Sequence, residues 1–161
     1  MNVRPATPAD HAAVAAVLNA AFGNDHATLI VEGVRAEGAV LAELVAEAGG
    51  EIVGHVLFSR MTVTPARFIA GLGPLGVRPD RQSEGLGAAL SRVGIEAARS
   101  WGAEAVVVLG HPTYYPRFGF SHEATAKIVS PFSDRPAFMA LELVRGALGQ
   151  PLKVDYPAAF G

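Results

Sequence analysis

Residues 75–90, with the sequence LGVRPDRQSEGLGAAL, restrict the fold of this chain more than any other segment. An apolar strand end leads into a charged loop, after which Leu86 and Leu90 begin the spacing of an amphipathic helix. The first amide N–H groups of a helix lack an intrahelical partner, and the helix dipole adds positive charge behind them. Gly85 and Gly87 remove the Cβ atoms that would keep a pyrophosphate away from those amides. The segment therefore predicts a strand, a loop and a helix with a phosphate site at the helix start.

The glycine pattern alone does not separate a phosphate site from a structural turn, because glycines also serve tight turns and close helix packing. A Walker A loop is excluded, since the chain contains no Gly-Lys-Ser or Gly-Lys-Thr. The full dinucleotide fingerprint is excluded as well, because three non-glycine residues follow Gly87. What remains is Q-x-x-G-x-G beginning at Gln82, with Arg81 and Ser83 as further side-chain donors at its rim.

Composition limits the classes of function. A chain of 161 residues that is 50% apolar and 17% charged can bury one substantial core, so a single domain over residues 1–161 is expected. The net charge of -2, without a basic run, gives no electrostatic reason to expect nucleic acid or an anionic membrane as partner. The absence of cysteine excludes disulfides and thiol nucleophiles, and the five histidines have no metal-like spacing, so no metal is expected. The start of the chain lacks a signal-peptide core, which predicts a cytoplasmic protein.

The segment before the phosphate loop predicts two helices and then a three-stranded meander. A short strand at residues 3–4 precedes a helix start at 7–10, and a second helix ends near Gly38. Strands at 41–47 and 51–59 are joined by a glycine-rich hairpin, and a third strand runs roughly over 66–77. Glycines and Pro74 interrupt that third strand, which predicts a bulge or splay that leaves backbone groups near 75–77 for a ligand.

A second informative segment follows the apolar run at 105–109, which reads as a strand parallel to the third strand. Its sequence GHPTYYPRFGF places Tyr115 beyond the carboxyl end of that strand, where ligands of open α/β sheets bind. Later strands are expected around 120–128 and 138–144, and the tail at 145–161 is expected to pack on the domain or on a partner subunit.

Two motifs in this order resemble the GNAT superfamily of acetyl-CoA-dependent N-acetyltransferases, in particular its small bacterial members of the YhbS-like type. QSEGLG at 82–87 is similar to that family's Q/R-x-x-G-x-G/A pyrophosphate loop, and YPRFGF at 115–120 is similar to its Y-x-x-x-G-F signature. The resemblance covers nearly the whole chain. It implies an α/β (α+β) fold with a mixed, mostly antiparallel sheet of six to seven strands, a parallel splayed pair at the cofactor site and about four flanking helices.

The resemblance also implies roles for individual residues. Acetyl-CoA would be the co-substrate, its pantetheine arm would lie in the splayed gap, and no metal would take part. The backbone N–H of Val77 would stabilise the oxyanion, and Tyr115 would hydrogen-bond the coenzyme sulfur and donate a proton to the leaving thiolate. The implied cofactor-binding residues are Leu75, Gly76, Val77, Arg81, Gln82, Ser83, Glu84, Gly85, Leu86, Gly87 and Ala88.

The general base and the acceptor are left open by the sequence. An amine arrives mostly as ammonium and must lose a proton, for which His111, Glu43 and Glu47 are candidates. His55 alternates with apolar residues and is better interpreted as an interior histidine, and Tyr114 is expected to pack. Asp25 and His26 could line the acceptor cleft, although a capping role for Asp25 is at least equally supported.

One departure from the resembled pattern affects the cofactor contact. Many GNAT enzymes carry an asparagine after the strand that here ends at Leu109, whereas this chain has Gly110-His111. The expected activity is transfer of an acetyl group from acetyl-CoA to a primary amine of a small molecule or protein. The alternative is a non-catalytic acyl-CoA-binding module with a degenerate acceptor site. A homodimer is common in the resembled family.

Overall fold

The computed structural model describes residues 1–161 and contains nine β-strands, three α-helices and five short 3₁₀ turns. The strands are Asn2–Pro5 (β1), Val40–Ala48 (β2), Glu51–Arg60 (β3), Thr62–Thr64 (β4), Ile69–Val77 (β5), Ala105–Leu109 (β6), Ile128–Val129 (β7), Phe138–Glu142 (β8) and Leu152–Asp155 (β9). The helices are His11–Phe22 (α1), His26–Glu37 (α2) and Leu86–Ser100 (α3). None of the three helices combines the length and apolar character needed to cross a bilayer.

The strands form two sheets. The larger has six strands in the order β1-β2-β3-β5-β6-β8, and the smaller has three in the order β4-β9-β7. In the larger sheet only β5 and β6 are parallel, and α3 connects them. The predicted mixed, mostly antiparallel sheet with one parallel pair is therefore confirmed. The chain has three α-helices, whereas about four were expected. The segment Tyr115–Phe118 forms only a four-residue 3₁₀ turn, which ends at Gly119 with a φ of 99°.

The strand predicted roughly over 66–77 is confirmed as β5, and β4 before it, which the sequence did not predict, pairs with β9 in the small sheet. One predicted strand differs from the structure. The strand expected over 120–128 is mostly a 3₁₀ turn, Glu123–Thr125, with a single bridge from Ser121 to Ala140. Its hydroxyl groups explain the difference, because Ser121 Oγ accepts from the Ala124 N–H and the Thr125 hydroxyl donates to the His122 carbonyl.

Helices cover both faces of the larger sheet. The apolar face of α3, including Leu86 and Leu90, packs with Val56 and Phe58 of β3 in the largest buried cluster. On the other face, α1 and α2 contribute Val14, Leu18, Val31 and Val34, which pack on Val45 of β2 and Leu57 of β3. The carboxyl end of β5 is thereby held between helices on both faces of the sheet.

The parallel pair separates after four residues. β5 pairs with β6 only over Ile69–Leu72, whereas it continues to pair with β3 as far as Val77. The Arg78 N–H bonds the Val53 carbonyl of β3 at 2.8 Å. Because backbone groups alternate along a strand, the N–H and C=O of Leu75 and Val77 point to the opposite edge, into the gap beside β6. The predicted splay is confirmed.

A polar cluster lies buried between the sheet and the helices α1 and α2. Glu43 accepts hydrogen bonds from Arg35 Nη2 and from His55 Nε2 at 2.9 Å. Since the carboxylate can only accept, Nε2 carries the histidine proton and Nδ1 is left buried without a partner. Burial lowers the pKa of His55, against the opposing effect of Glu43, so the ring is neutral. Burial alone would raise the pKa of Glu43, but the hydrogen bonds from His55 and Arg35 outweigh it and hold that pKa at about 2.

Glu43→Gln is expected to lower the free energy of unfolding at pH 7 by about 1–3 kcal/mol, because the amide cannot accept from both buried partners. A carboxyl whose folded pKa is about 2, against 4.5 for the free group, stabilises the fold above pH 4.5 and loses that contribution as the pH falls toward 2. The deficit of the variant should therefore shrink between pH 7 and pH 3 in urea titrations. Glu47→Gln is the control, because the Glu47 carboxylate pairs with Arg4 and is more exposed to solvent than that of Glu43. A deficit that stays constant over this range contradicts the account.

Hydrogen bonds connect the tail beyond residue 145 to α2. Glu37 accepts hydrogen bonds from the N–H groups of Ala158 and Ala159, the latter at 2.7 Å. Gly33 leaves space for Ala159, since a Cβ at position 33 would lie 2.6 Å from the Ala159 Cβ. The chain end is thereby placed beside the amino-terminal helices.

Candidate active site

A cavity of about 560 Å³ opens at the start of α3, beside the end of β5. Its lining comes from the splayed strand end, the loop before α3 and the segment after β6. The lining residues are Leu75, Val77, Arg81, Gln82, Ser83, Gly85, Leu86, Gly87, Ala88, His111, Tyr114, Tyr115 and Arg117. All but two of the site residues predicted from the sequence lie in this one cavity.

The two exceptions are Gly76 and Glu84. A Cβ at Gly76 would lie 2.8 Å from the Leu18 side chain, so this position faces α1 rather than the cavity. The Glu84 carboxylate accepts from Arg81 Nε at 3.0 Å on the outer side of the loop. Gln82 ties the loop to the strand, because its Nε2 donates to the Val77 carbonyl.

The backbone of the loop exposes the first amides of α3. Ser83 and Gly85 both adopt positive φ, 66° and 82°, which turns the chain sharply before the helix. The first bond within this helix runs from the Ala89 N–H to the Gly85 carbonyl, so the preceding amides have no intrahelical acceptor. A Cβ at Gly87 would lie 3.1 Å from the Tyr114 hydroxyl, so a side chain there would enter the cavity.

Three lining residues were not predicted as parts of the phosphate site: His111, Tyr114 and Arg117. Tyr114 does pack edge-on against Tyr115, at 5.1 Å between ring centroids, as expected. Arg117 lies 4.1 Å above the Tyr114 ring, and its Nε donates to the Tyr114 carbonyl at 2.7 Å. Tyr114 and Arg117 are three residues apart within one helical turn, and this spacing could have indicated that their side chains meet. Arg117 is the second arginine of the cavity, after Arg81.

A second cavity of about 440 Å³ lies between the amino-terminal helices, the splayed strand and the tail. Most of its lining is apolar or aromatic. The lining residues are Phe22, Asn24, His26, Ala27, Ile30, Leu72, Gly73, Pro74, Leu75, Leu109, Gly110, His111, Tyr115, Phe132, Tyr156 and Phe160. The tail, for which the sequence suggested only packing, thus supplies two of its rings.

The two cavities meet at Leu75, His111 and Tyr115, which line both. Tyr115 is 7% exposed and packs edge-on against Phe120. Burial raises the pKa of Tyr115 to about 12, so its hydroxyl remains protonated over the physiological range. Gly110 is required here, because a Cβ at that position would overlap the Tyr115 ring. This contact accounts for the absence of the asparagine noted in the sequence.

The candidate bases differ in whether their side chains line the two cavities. Glu43 is held by Arg35 and His55, Glu47 by Arg4, and neither carboxylate lines either of these two cavities. His111 lines both cavities and His26 lines the second.

The Asp25 side chain does not cap α2. Asp25 precedes α2 without a side-chain capping bond, and Asn24 Oδ1 instead accepts from the His26 N–H at 3.0 Å. No group of three or more histidine, aspartate or glutamate side chains is arranged to hold a metal ion.

Comparison with known proteins decides the family. A sequence model of the acetyltransferase (GNAT) family matches residues 13–120, about two thirds of the chain. The chain belongs to the GNAT family. This match includes the splayed strand, the loop, α3 and the tyrosine of the Tyr115–Phe118 turn.

Relatives from Escherichia coli extend the similarity. The uncharacterized N-acetyltransferase YhbS is 33% identical over 122 residues, which cover 74% of this chain and 73% of YhbS. The uncharacterized N-acetyltransferase YjhQ is 48% identical over 82 residues. That match covers 48% of this chain and 44% of YjhQ, so the chain spans less than half the length of that relative.

Two solved structures share the whole fold. The crystal structure of E. coli YhbS in complex with CoA has a TM-score of 0.92 at 30% identity, covering 99% of this chain and 91% of that protein. A GNAT family acetyltransferase from Brucella melitensis, crystallised with acetyl-CoA, has a TM-score of 0.84 at 35% identity. That similarity covers 99% of this chain and 97% of the Brucella protein. The GNAT fold expected from the sequence is therefore confirmed.

Proposed function

We propose that this GNAT protein transfers an acetyl group from acetyl-CoA to a primary amine, by direct attack of the neutral amine on the thioester. The observation that carries the proposal is the meeting of two cavities at Leu75, His111 and Tyr115. A reaction between two substrates needs such a junction, whereas a module that only binds acyl-CoA needs one cavity. The CoA and acetyl-CoA complexes of the similar proteins support the first cavity as the cofactor site.

The cofactor is held mainly by backbone groups in this proposal. The free amides at the start of α3, with Gln82 and Ser83, bind the pyrophosphate, and Arg81 and Arg117 supply positive charge. The pantetheine arm lies in the gap between β5 and β6 and takes the place of the missing strand pairing at Leu75 and Val77.

Bond making and breaking follow from that placement. The amine nitrogen forms a bond to the acetyl carbon, the carbonyl oxygen becomes an oxyanion, and the Val77 N–H donates to it. A single donor of this kind contributes about 3–4 kcal/mol in other enzymes. The carbon–sulfur bond then breaks, CoA leaves as a thiolate that takes up a proton, and the nitrogen loses one proton to give the amide.

Tyr115 serves the leaving group as a hydrogen-bond donor. Its pKa of about 12 lies well above the 8.5 of an ordinary thiol, so complete proton transfer to the sulfur would be uphill by about 5 kcal/mol. The same high pKa keeps the hydroxyl available as a donor throughout turnover. The proposal therefore assigns Tyr115 a hydrogen bond to the developing thiolate.

His111 takes the proton from the amine. It is the only ionisable side chain other than tyrosine that lines both cavities. A histidine is suited to this step, because its ordinary pKa lies near neutrality. Glu43 and Glu47, which were equal candidates from the sequence, are held away in ion pairs.

The test is release of CoA thiol in the presence of acetyl-CoA and a panel of primary amines. The chain contains no cysteine, so every thiol detected comes from CoA. Amine-dependent release supports the proposal. A rise in melting temperature with CoA, without release from any amine, favours the non-catalytic module instead. Saturating CoA that leaves the melting temperature unchanged contradicts both.

A further inference from the structure

The second cavity carries no charged side chain from lysine, arginine, aspartate or glutamate. Its polar side chains are Asn24, His26 and His111, together with two tyrosines. Among the acidic residues of the surrounding elements, Glu37 binds the tail backbone and Glu43 binds Arg35 and His55. Asp25 lies between the lining residues Asn24 and His26 in sequence but does not itself line the cavity. An acceptor with a second ammonium group would have to move that charge from water into a cavity without a counter-charge, and this transfer costs free energy.

One side of this cavity is a continuous aromatic wall, formed by Phe132, Tyr156 and Phe160. The ring centroids of Phe132 and Tyr156 are 5.2 Å apart, as are those of Tyr156 and Phe160, both in edge-to-face geometry. These rings come from the loop between β7 and β8 and from the tail after β9. Burial raises the pKa of Tyr156, so the wall stays uncharged.

The wall does not include the residues at the junction of the two cavities. Tyr115 and His111 lie where the two cavities join, whereas Phe132, Tyr156 and Phe160 line only the second. The contacts of Glu37 with Ala158 and Ala159 hold the tail against α2 and keep Phe160 in place. An acceptor would therefore present its amine to Tyr115 and its body to the rings.

We propose that the acceptor is a small aromatic monoamine, an inference that rests on the proposed acetyl transfer. The cavity volume of about 440 Å³ is within the range of small-molecule sites. Edge and face contacts with the wall favour a flat ring. The apolar surroundings also favour the neutral form of the amine, which is the form that attacks the thioester. Polyamines and charged peptide segments bring charges that no charged side chain of the cavity neutralises, and amino sugars lack the flat ring that would contact the wall.

The first arm of the test compares probe amines with the wild-type chain. Thiol release from acetyl-CoA is measured with phenethylamine, hexamethylenediamine, glucosamine and a short peptide with a free amino terminus. We expect kcat/KM for phenethylamine to exceed that for each other probe by at least about 30-fold, as expected for burial of one phenyl ring. A higher value for any other probe overturns the inference and leaves the proposed acetyl transfer standing. If CoA binds and no amine is acetylated, the proposed acetyl transfer and the proposed aromatic acceptor are both contradicted.

The second arm changes the wall. Phe160→Asp introduces a carboxylate and is expected to reduce the preference for phenethylamine over hexamethylenediamine by at least about 30-fold, because it removes a ring and supplies a counter-charge. The stabilisation by CoA should be unchanged, since Phe160 does not line the first cavity. Trp101→Asp is the matched control, because Trp101 is 55% exposed and lines neither cavity. A preference that Phe160→Asp leaves unaltered overturns the assignment of this cavity to the acceptor.

Discussion

Replacement of Tyr115 by phenylalanine is expected to lower kcat for acetyl transfer by about 100-fold, the low end of the effect of removing one positioned hydrogen-bond donor to a developing negative charge. The ring is 7% exposed among other aromatic rings, so loss of the hydroxyl leaves the packing intact. Affinity for CoA should change by less than about twofold, because the pyrophosphate contacts are elsewhere. The pKa of about 12 predicts that the ratio of wild-type to variant kcat is the same from pH 6 to pH 9.

The neighbouring tyrosine provides the matched control. Tyr114→Phe removes a hydroxyl that lines the first cavity only, so it should alter CoA affinity without a comparable loss of kcat. Full kcat in the Tyr115→Phe variant, measured under saturating acetyl-CoA, would show that the hydroxyl does not act on the leaving group.

Replacement of Gly87 by leucine is expected to weaken CoA binding by at least about 100-fold. The new side chain enters the first cavity toward the Tyr114 hydroxyl and covers the free amides at the start of α3. Loss of two charge-assisted hydrogen bonds of about 1.5 kcal/mol each corresponds to a factor of this size. The protein without ligand should change little in stability, because the preference of a helix for leucine over glycine, up to about 1 kcal/mol, opposes the strain of a Cβ placed 3.1 Å from the Tyr114 hydroxyl. Calorimetric titration with CoA and thermal unfolding measure the two effects separately.

Glu96→Leu serves as the control for this variant. It places the same side chain on the same helix at an exposed position that lines neither cavity. Its CoA affinity should match that of the wild type. Retention of wild-type affinity in Gly87→Leu would mean that the pyrophosphate is bound somewhere other than the start of α3.

The cofactor side of the site was largely predictable because it is local in sequence. One stretch of residues contains the strand end, the loop and the helix start, and backbone chemistry dictates glycine at the amides that a phosphate approaches. Gly73 and Pro74 likewise marked the splay, since pairing with β6 ends at Leu72 and the register with β3 shifts between Leu72 and Leu75. Gly110 could be understood only in three dimensions, where its missing side chain makes room for the Tyr115 ring.

The acceptor side could not be predicted because its residues are distant in sequence. Phe22 ends α1, Phe132 lies in a loop and Phe160 lies in the tail, and only the fold brings them to one cavity. The candidate base was ambiguous for a similar reason. Glu43 lies within a strand that the sequence predicts, and its partners Arg35 and His55 become visible only when α2 packs on the sheet.

The central claim is that CoA occupies the first cavity with its sulfur where the two cavities meet. A crystal structure of this chain with CoA tests it most directly. The account predicts the pyrophosphate on the amides at the start of α3 and the sulfur within hydrogen-bond distance of the Tyr115 hydroxyl, facing the second cavity. A sulfur atom out of reach of Tyr115, or a pyrophosphate away from residues 81–88, would contradict it.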